Sequence, residues 1–164
     1  MNAYDRETTV LALMRALPYI RLYRGKIFVV KVGGAMCGEP SAMTDLAAQL
    51  SVLRELGVKV VVVHGGGPQT TALADKLGLE TTQIDGRRVT DAATLDVSVM
   101  TLNGSVRTAL LSACRAAQLP AVGLSGLDAG LVRATRRPPQ QVEVKGDKRT
   151  VDFGLVGDIA SVEP

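Results

Sequence analysis

The chain has 164 residues, a hydrophobic fraction of 46% and a formal charge of +3, which fits one folded domain burying roughly 70% of the surface its unfolded form exposes. This composition excludes a disordered segment, and no uninterrupted apolar run approaches the ~20 residues of a membrane span. With 19 Lys and Arg dispersed along the chain, three Tyr, two Phe and no Trp, it lacks the basic stripe and stacking groups of a nucleic-acid platform.

The start, Met1 to Arg6, is polar and has no charged-then-apolar leader pattern, so a cytoplasmic location is expected. Residues 5–22 carry Val10, Leu13, Met14 and Leu17 at helical spacing and predict an amphipathic helix ending near Pro18. It packs on its own sheet or reaches another subunit. Two short β-branched runs follow, Ile27 to Val30 and Val58 to Val63, each read as a parallel strand covered on both faces. Each ends in glycine: Lys31-Val32-Gly33-Gly34, with Lys31 at the last strand position, and His64-Gly65-Gly66-Gly67-Pro68-Gln69. Between them residues 41–56 predict a crossover helix, capped by Ser41, with Met43, Leu46, Ala47 and Leu50 inward and Gly57 at its exit. The handedness of such a unit brings both glycine turns to one sheet edge.

Pro68 suits the first turn of a helix running to about Leu77 and closed by Gly78. Thr81 to Val89 reads as short strands turning at Asp85-Gly86. Thr90 or Asp91 then caps a long helix with Leu95, Val99, Leu102, Val106 and Leu110 on its apolar side, where Gly104 suggests a close approach. Pro120 to Leu124 predicts another strand, Arg133 to Arg137 an exposed loop or hairpin, and Leu131 to Val162 antiparallel hairpins around Lys145-Gly146-Asp147. The expected fold is α/β, a three-layer α/β/α sandwich with a mainly parallel central sheet plus antiparallel hairpins.

Glycine turns beside helix N-termini offer backbone N–H groups and a positive dipole end to an anion. Lys31 places a cation where a phosphoryl group could lie, though a solvent-facing lysine fits the same position. No Gly-x4-Gly-Lys-Ser/Thr or Gly-x-Gly-x-x-Gly pattern occurs. His64, the only histidine, suits a structural hydrogen bond better than base catalysis, and Ser125 has no nucleophile-elbow context. A guanidinium at Arg87 or Arg88 can grip a carboxylate with two parallel bonds. Cys37 and Cys114 stand in no paired spacing and are expected as free thiols. Asp128, Asp152 and Asp158 show no metal-ligand spacing, so no metal is expected.

Four ordered stretches, Lys31 to Gly34, Val61 to Gln69, Gly86-Arg87-Arg88-Val89-Thr90-Asp91 and Ala121 to Asp128, resemble the N-acetylglutamate kinases of the amino acid kinase family. Leu17 to Ile20 and Val151 to Gly157 match as well. The resemblance implies transfer of the ATP γ-phosphoryl group to the side-chain carboxylate of N-acetyl-L-glutamate in arginine biosynthesis, with MgATP as co-substrate of the full enzyme. It implies that Lys31 stabilises the moving phosphoryl group, that Gly33, Gly34, Gly65 and Gly66 donate N–H bonds to it, and that Gly66, Gly67 and Arg88 bind the amino acid. It further implies a homo-oligomer, a dimer through the long helix or a hexameric ring of dimers through the N-terminal helix.

Two departures stand out. Arg107 follows Gly104-Ser105-Val106 where the family has asparagine, and no counterpart of the family's nucleotide-binding half is found. Residues 1–164 therefore read as an N-terminal substrate-binding domain, with no ATP bound and no activity expected alone. A related acetylaminoadipate kinase, or a non-catalytic acetylglutamate- or arginine-binding module like that of acetylglutamate synthase, shares much of this pattern.

Overall fold

The computed structural model describes residues 3–144 and 147–163. Helix α1 (Ala3–Tyr23) runs through Pro18 rather than ending there. Proline cannot donate to the carbonyl one turn back, but on an exposed helix water can take that bond, and Arg24 N still reaches Ile20 O at 2.9 Å. Val10, Leu13, Met14 and Leu17 are 43% to 60% exposed, so this stripe does not pack on the chain's own sheet. The helix end is fixed instead by Tyr23, edge-on to Phe28 with ring centroids 5.2 Å apart.

Strands β1 (Ile27–Val32) and β2 (Lys59–His64) pair in parallel, from Ile27 opposite Lys59 to Val32 opposite His64. Lys31 is therefore penultimate in β1, not last. A 3-10 turn (Met36–Gly38) leads into α2 (Pro40–Glu55). Ser41 does not cap α2: Glu39 occupies the cap position without a side-chain bond, and Pro40 opens the helix. Proline's fixed φ and missing N–H suit that first position. Met43, Ala47 and Leu50 are buried as the pattern requires, and Gly57 leaves the helix at φ +85.

Helix α3 (Gly67–Lys76) begins at the second glycine turn with Pro68 in its first turn. Strands β3 (Gln83–Ile84) and β4 (Arg87–Arg88) form an antiparallel pair. Their turn has positive φ at Asp85 (50°) and Gly86 (70°), the pattern of a type I′ hairpin. Asp91 is the cap of the next helix, its carboxylate accepting from Thr94 N at 2.7 Å.

That helix is one rod in three parts: α4 (Ala92–Val99), a π-helical segment (Met100–Val106) and α5 (Arg107–Ala116). The buried positions are Thr94, Val97, Thr101, Val106, Leu110 and Cys114. Their spacing opens to five between Thr101 and Val106, across the π segment, whose wider turn absorbs one extra residue. The expected stripe is therefore right for Val106 and Leu110 and wrong for Leu95 and Val99, which are exposed. A Cβ on Gly104 would meet nothing within 4 Å, so that glycine marks no close approach.

Pro120 to Leu124 forms no strand, and Val122 is 84% exposed. An apolar run becomes a strand only where a neighbour takes its ladder bonds and side chains, and among the described residues none does. In the tail, β5 (Val132–Arg136) pairs antiparallel with β8 (Gly157–Val162), and β6 (Gln140–Val144) with β7 (Asp147–Val151). The Lys145-Gly146 turn expected between β6 and β7 lies outside the described residues. The Arg133–Arg137 segment is mostly strand β5 rather than loop, with Arg136 bonded to Asp152 at 3.1 Å and Arg137 to Asp158 at 2.6 Å.

The chain is thus α/β, built on a parallel pair with antiparallel strands at its C-terminal side. Val32, Cys37 and Val106 are the centre of its core, with Val30, Met36, Leu46 and Val62 packed around them. Both cysteines are free and buried, and burial pushes their thiols up. No helix among the described residues is long and apolar enough to cross a membrane.

Candidate functional site

Parallel pairing with Val32 opposite His64 leaves both strands turning at the same end of the pair. The two glycine turns meet there. Gly65 N donates to Val32 O at 3.0 Å. A Cβ on Gly34 would lie 3.0 Å from both Gly66 N and Gly67 N, and one on Gly65 3.4 Å from Gly34 N. A Cβ at Gly34 would crowd two backbone nitrogens, the physical reason for glycine there, whereas at Gly65 the contact would be close to ordinary. Gly66 is seated from the other side by the long helix: a Cβ there would come within 2.7 Å of Leu102 Cδ2 and 3.4 Å of Val106 Cγ2. Gly33 and Gly67 face open space, so at those two positions glycine leaves room in front of the backbone.

Gly67 is also the first residue of α3, whose leading N–H groups and dipole end point into this junction. Thr70 and Thr71 turn their hydroxyls back onto the carbonyls of Gly66 (2.9 Å) and Gly67 (3.2 Å). Those bonds occupy the Gly66 and Gly67 carbonyls.

Arg88 is tied to the same turn. Its Nη2 donates to Thr71 Oγ1 at 2.7 Å, so a chain of hydrogen bonds runs from the guanidinium through Thr71 to the Gly67 carbonyl. Its Nη1 is shielded from solvent and has no partner among the described residues. A buried charged donor without an acceptor is costly, and a carboxylate is the group whose geometry would satisfy it. Arg87, on the opposite side of β4, faces the tail: its guanidinium lies 5.8 Å from the centroid of buried Phe153 and bonds Gln140 Oε1 at 3.0 Å. The adjacent arginines thus divide between structure and site, as alternation along a strand dictates. Thr90 fixes their approach, giving its N–H to Phe153 O at 2.9 Å and its carbonyl to Leu155 N at 2.7 Å.

Lys31 is exposed and, opposite Val63 in the register, shares the face of Val29 and Val61. His64 lies on the other face with Val32, its Nδ1 3.4 Å from Gly65 O. The structure therefore groups Gly33, Gly34, Gly65, Gly66, Gly67 and Arg88 around one junction and leaves Lys31 exposed on the outer face of β1, with His64 on the other face.

Asp128, Asp152 and Asp158 are engaged elsewhere. Asp128 accepts from both Ser125 N and Ser125 Oγ, and these bonds hold its carboxyl below the usual range. Asp152 and Asp158 bind Arg136 and Arg137. No group of three or more His, Cys, Asp or Glu among the described residues is placed to hold a metal ion. A concavity of about 550 Å³ lined by Asp75 and Gly78 to Thr82 lies at the far end of α3 from the glycine turns.

Two contributors are invisible to residue-by-residue reading. Thr71 links Arg88 to Gly67, and Gln69 donates from Nε2 to Gly34 O at 2.7 Å. Their one sequence signal is position: both lie in the first turns of the helix that opens at the second glycine turn.

Residues 26–161 match the amino acid kinase family. The acetylglutamate kinase of Myxococcus xanthus (strain DK1622) is 46% identical over 154 residues, 93% of this chain and 50% of its own length. That of Sphingopyxis alaskensis is 42% identical over 153 residues, covering 93% and 51%. The chain spans about half the length of the curated relatives it matches. Among solved structures, N-acetylglutamate synthase from Neisseria gonorrhoeae, complexed with coenzyme A and N-acetyl-glutamate, is similar with a TM-score of 0.69 and 28% identity, over 93% of this chain and 32% of that one.

Proposed function

This chain belongs to the amino acid kinase family, and from that premise we propose that it is the acceptor-binding half of an N-acetyl-L-glutamate 5-phosphotransferase. In this reading Arg88 holds the α-carboxylate of N-acetyl-L-glutamate, with Gly66 and Gly67 lining the acceptor beside it. The N–H groups of Gly33, Gly34 and Gly66 receive the phosphoryl group as charge develops on it, the Gly65 N–H expected beside them being already given to Val32 O at 3.0 Å, and Lys31 closes over that group. Phosphoryl transfer asks for position and charge stabilisation more than covalent chemistry, which suits a site made of backbone donors and two cations. MgATP is the co-substrate, held by a second half for which residues 1–164 supply no motif. Oligomerisation through the exposed faces of α1 and the long rod belongs to the same proposal.

The observation that carries this reading is the partnerless Nη1 of Arg88, buried one hydroxyl away from the abutting glycine turns. Kinase relatives 46% and 42% identical support it independently. The likeness to the synthase structure with bound N-acetyl-glutamate favours a second reading, a non-catalytic acetylglutamate-binding module. Lys31 argues for the kinase, because a pure binding module has no use for a cation at the phosphoryl position.

Calorimetric titration of N-acetyl-L-glutamate into the wild type and Arg88→Ala tests the acceptor site. Loss of a charge-assisted bond of about 1.5 to 3 kcal/mol weakens binding by roughly ten- to 150-fold. Equal affinities would overturn the assignment.

A further inference from the structure

Three successive carbonyls at the first glycine turn each accept a hydrogen bond. Val32 O accepts from Gly65 N at 3.0 Å and Gly33 O from Cys37 N at 3.4 Å. Gly34 O accepts from the side chain of Gln69, Nε2 to O 2.7 Å, across 35 residues of sequence. The amide of Gln69 lies against Gly38, where a Cβ would fall 2.8 Å from Nε2. Its Oε1 is shielded from solvent and has no partner among the described residues, so the bond from Nε2 is what fixes the group.

In a trans peptide the C=O and the following N–H point in opposite directions. Drawing the Gly34 carbonyl toward α3 therefore aims the Ala35 N–H away from it, as the other two bonds aim the N–H groups of Gly33 and Gly34. A peptide rotated the other way would present a carbonyl to an incoming anion, a repulsive contact in place of a donor. Of the three restraints, only the one on Gly34 comes from a side chain.

We propose that Gln69 is a positioning residue: by holding the Gly34–Ala35 peptide it sets the first glycine turn as a row of donors for a phosphoryl oxygen. The inference rests on the reading of this junction as the phosphoryl site. Gln69 touches no reacting group, and acts through the backbone it orients.

The test is a titration of inorganic phosphate into the isotope-labelled 164-residue chain, followed by amide resonances. In the wild type, phosphate moves the signals of Gly33 to Ala35 and of Gly66 and Gly67. Gln69→Leu removes the donor and weakens the response about tenfold. Gln69→Glu weakens it further, because a carboxylate cannot donate and sets an acceptor against the Gly34 carbonyl. A Gln69→Leu variant that binds phosphate as well as the wild type overturns the proposal, as does a Gln69→Glu variant that binds better than Gln69→Leu.

If the variants do not fold, the wild type decides. The Gln69 side-chain nitrogen shows scalar coupling to the Gly34 carbonyl carbon, and its protons shift on phosphate addition; an uncoupled, rapidly exchanging amide overturns the proposal. A coupled amide with no phosphate response anywhere overturns it through the underlying phosphoryl-site reading, and the coupling tells that failure from failure of the Gln69 bond itself.

Discussion

The two faces of the β1–β2 pair are equally β-branched and live in different surroundings. On the inner face Val30, Val32 and Val62 pack on Cys37, Met36, Leu46 and Val106. On the outer face Ile27, Val29, Val61 and Val63 are 49% to 68% exposed. A near-continuous apolar run is the mark of a strand covered on both sides, and the helices of this chain cover one. The candidate site straddles that difference. Its glycine turns rest on the packed side through Leu102 and Val106, whereas Lys31 stands on the bare side. The turns are thereby fixed by the core, while Lys31 is exposed.

Substitution on each face breaks or sharpens the contrast. Val32→Ala removes two buried methyl groups and leaves a cavity, an expected loss of about 2 to 3 kcal/mol in denaturant unfolding. Val29→Ala, on the opposite face of the same strand, is expected to change stability by less than about 0.5 kcal/mol. Equal losses would mean that the outer face is covered in solution.

Glycine substitutions carry the contrast into the site. Gly34→Ala sets a methyl 3.0 Å from two backbone nitrogens that cannot swing aside, and the expected cost in the same unfolding experiment is roughly 1 to 2 kcal/mol. Gly67→Ala meets open space and is expected to be neutral or slightly stabilising at a helix start. A neutral Gly34→Ala would show that the two turns are looser than drawn.

The smallest effect concerns Asp91, whose carboxyl is held below its ordinary value of 3.8 by bonds from the side chain and backbone of Thr94. A depressed folded pKa contributes stability that is fully present above the unfolded pKa and is lost as pH falls through the folded one. The melting temperature of the wild type should exceed that of Asp91→Ala at neutral pH, and the gap should narrow below pH 3.8. A gap that stays constant into acid would remove the carboxylate from the account.

Local signals were legible where the physics is local. The glycine turns, the Asp85-Gly86 hairpin, the Asp91 cap and the inward side of α2 follow from residue type and spacing. The failures are places where a distant contact decides. The π segment shifts the buried register of the long helix after Thr101, and nothing in a 3.6-residue period announces one extra residue. Pro120 to Leu124 is an apolar run with no strand beside it among the described residues. The bond of Gln69 to Gly34 and the seat of Arg87 on Phe153 join positions far apart in the chain, so no window along the sequence contains both partners. Arg107 is a related case: family resemblance marks the residue as a departure, and the structure lays its side chain across Gly123, where no Cβ would fit.

The most direct test of the central claim is a titration of N-acetyl-L-glutamate into the labelled chain, followed at backbone amides and arginine side chains. The account predicts saturable shifts centred on Gly34, Gly65 to Gly67, Thr71 and the guanidinium of Arg88, abolished or strongly weakened in Arg88→Ala. Shifts confined to the concavity around Asp75 and Gly78 to Thr82, or a saturable response that survives intact in Arg88→Ala, would contradict it.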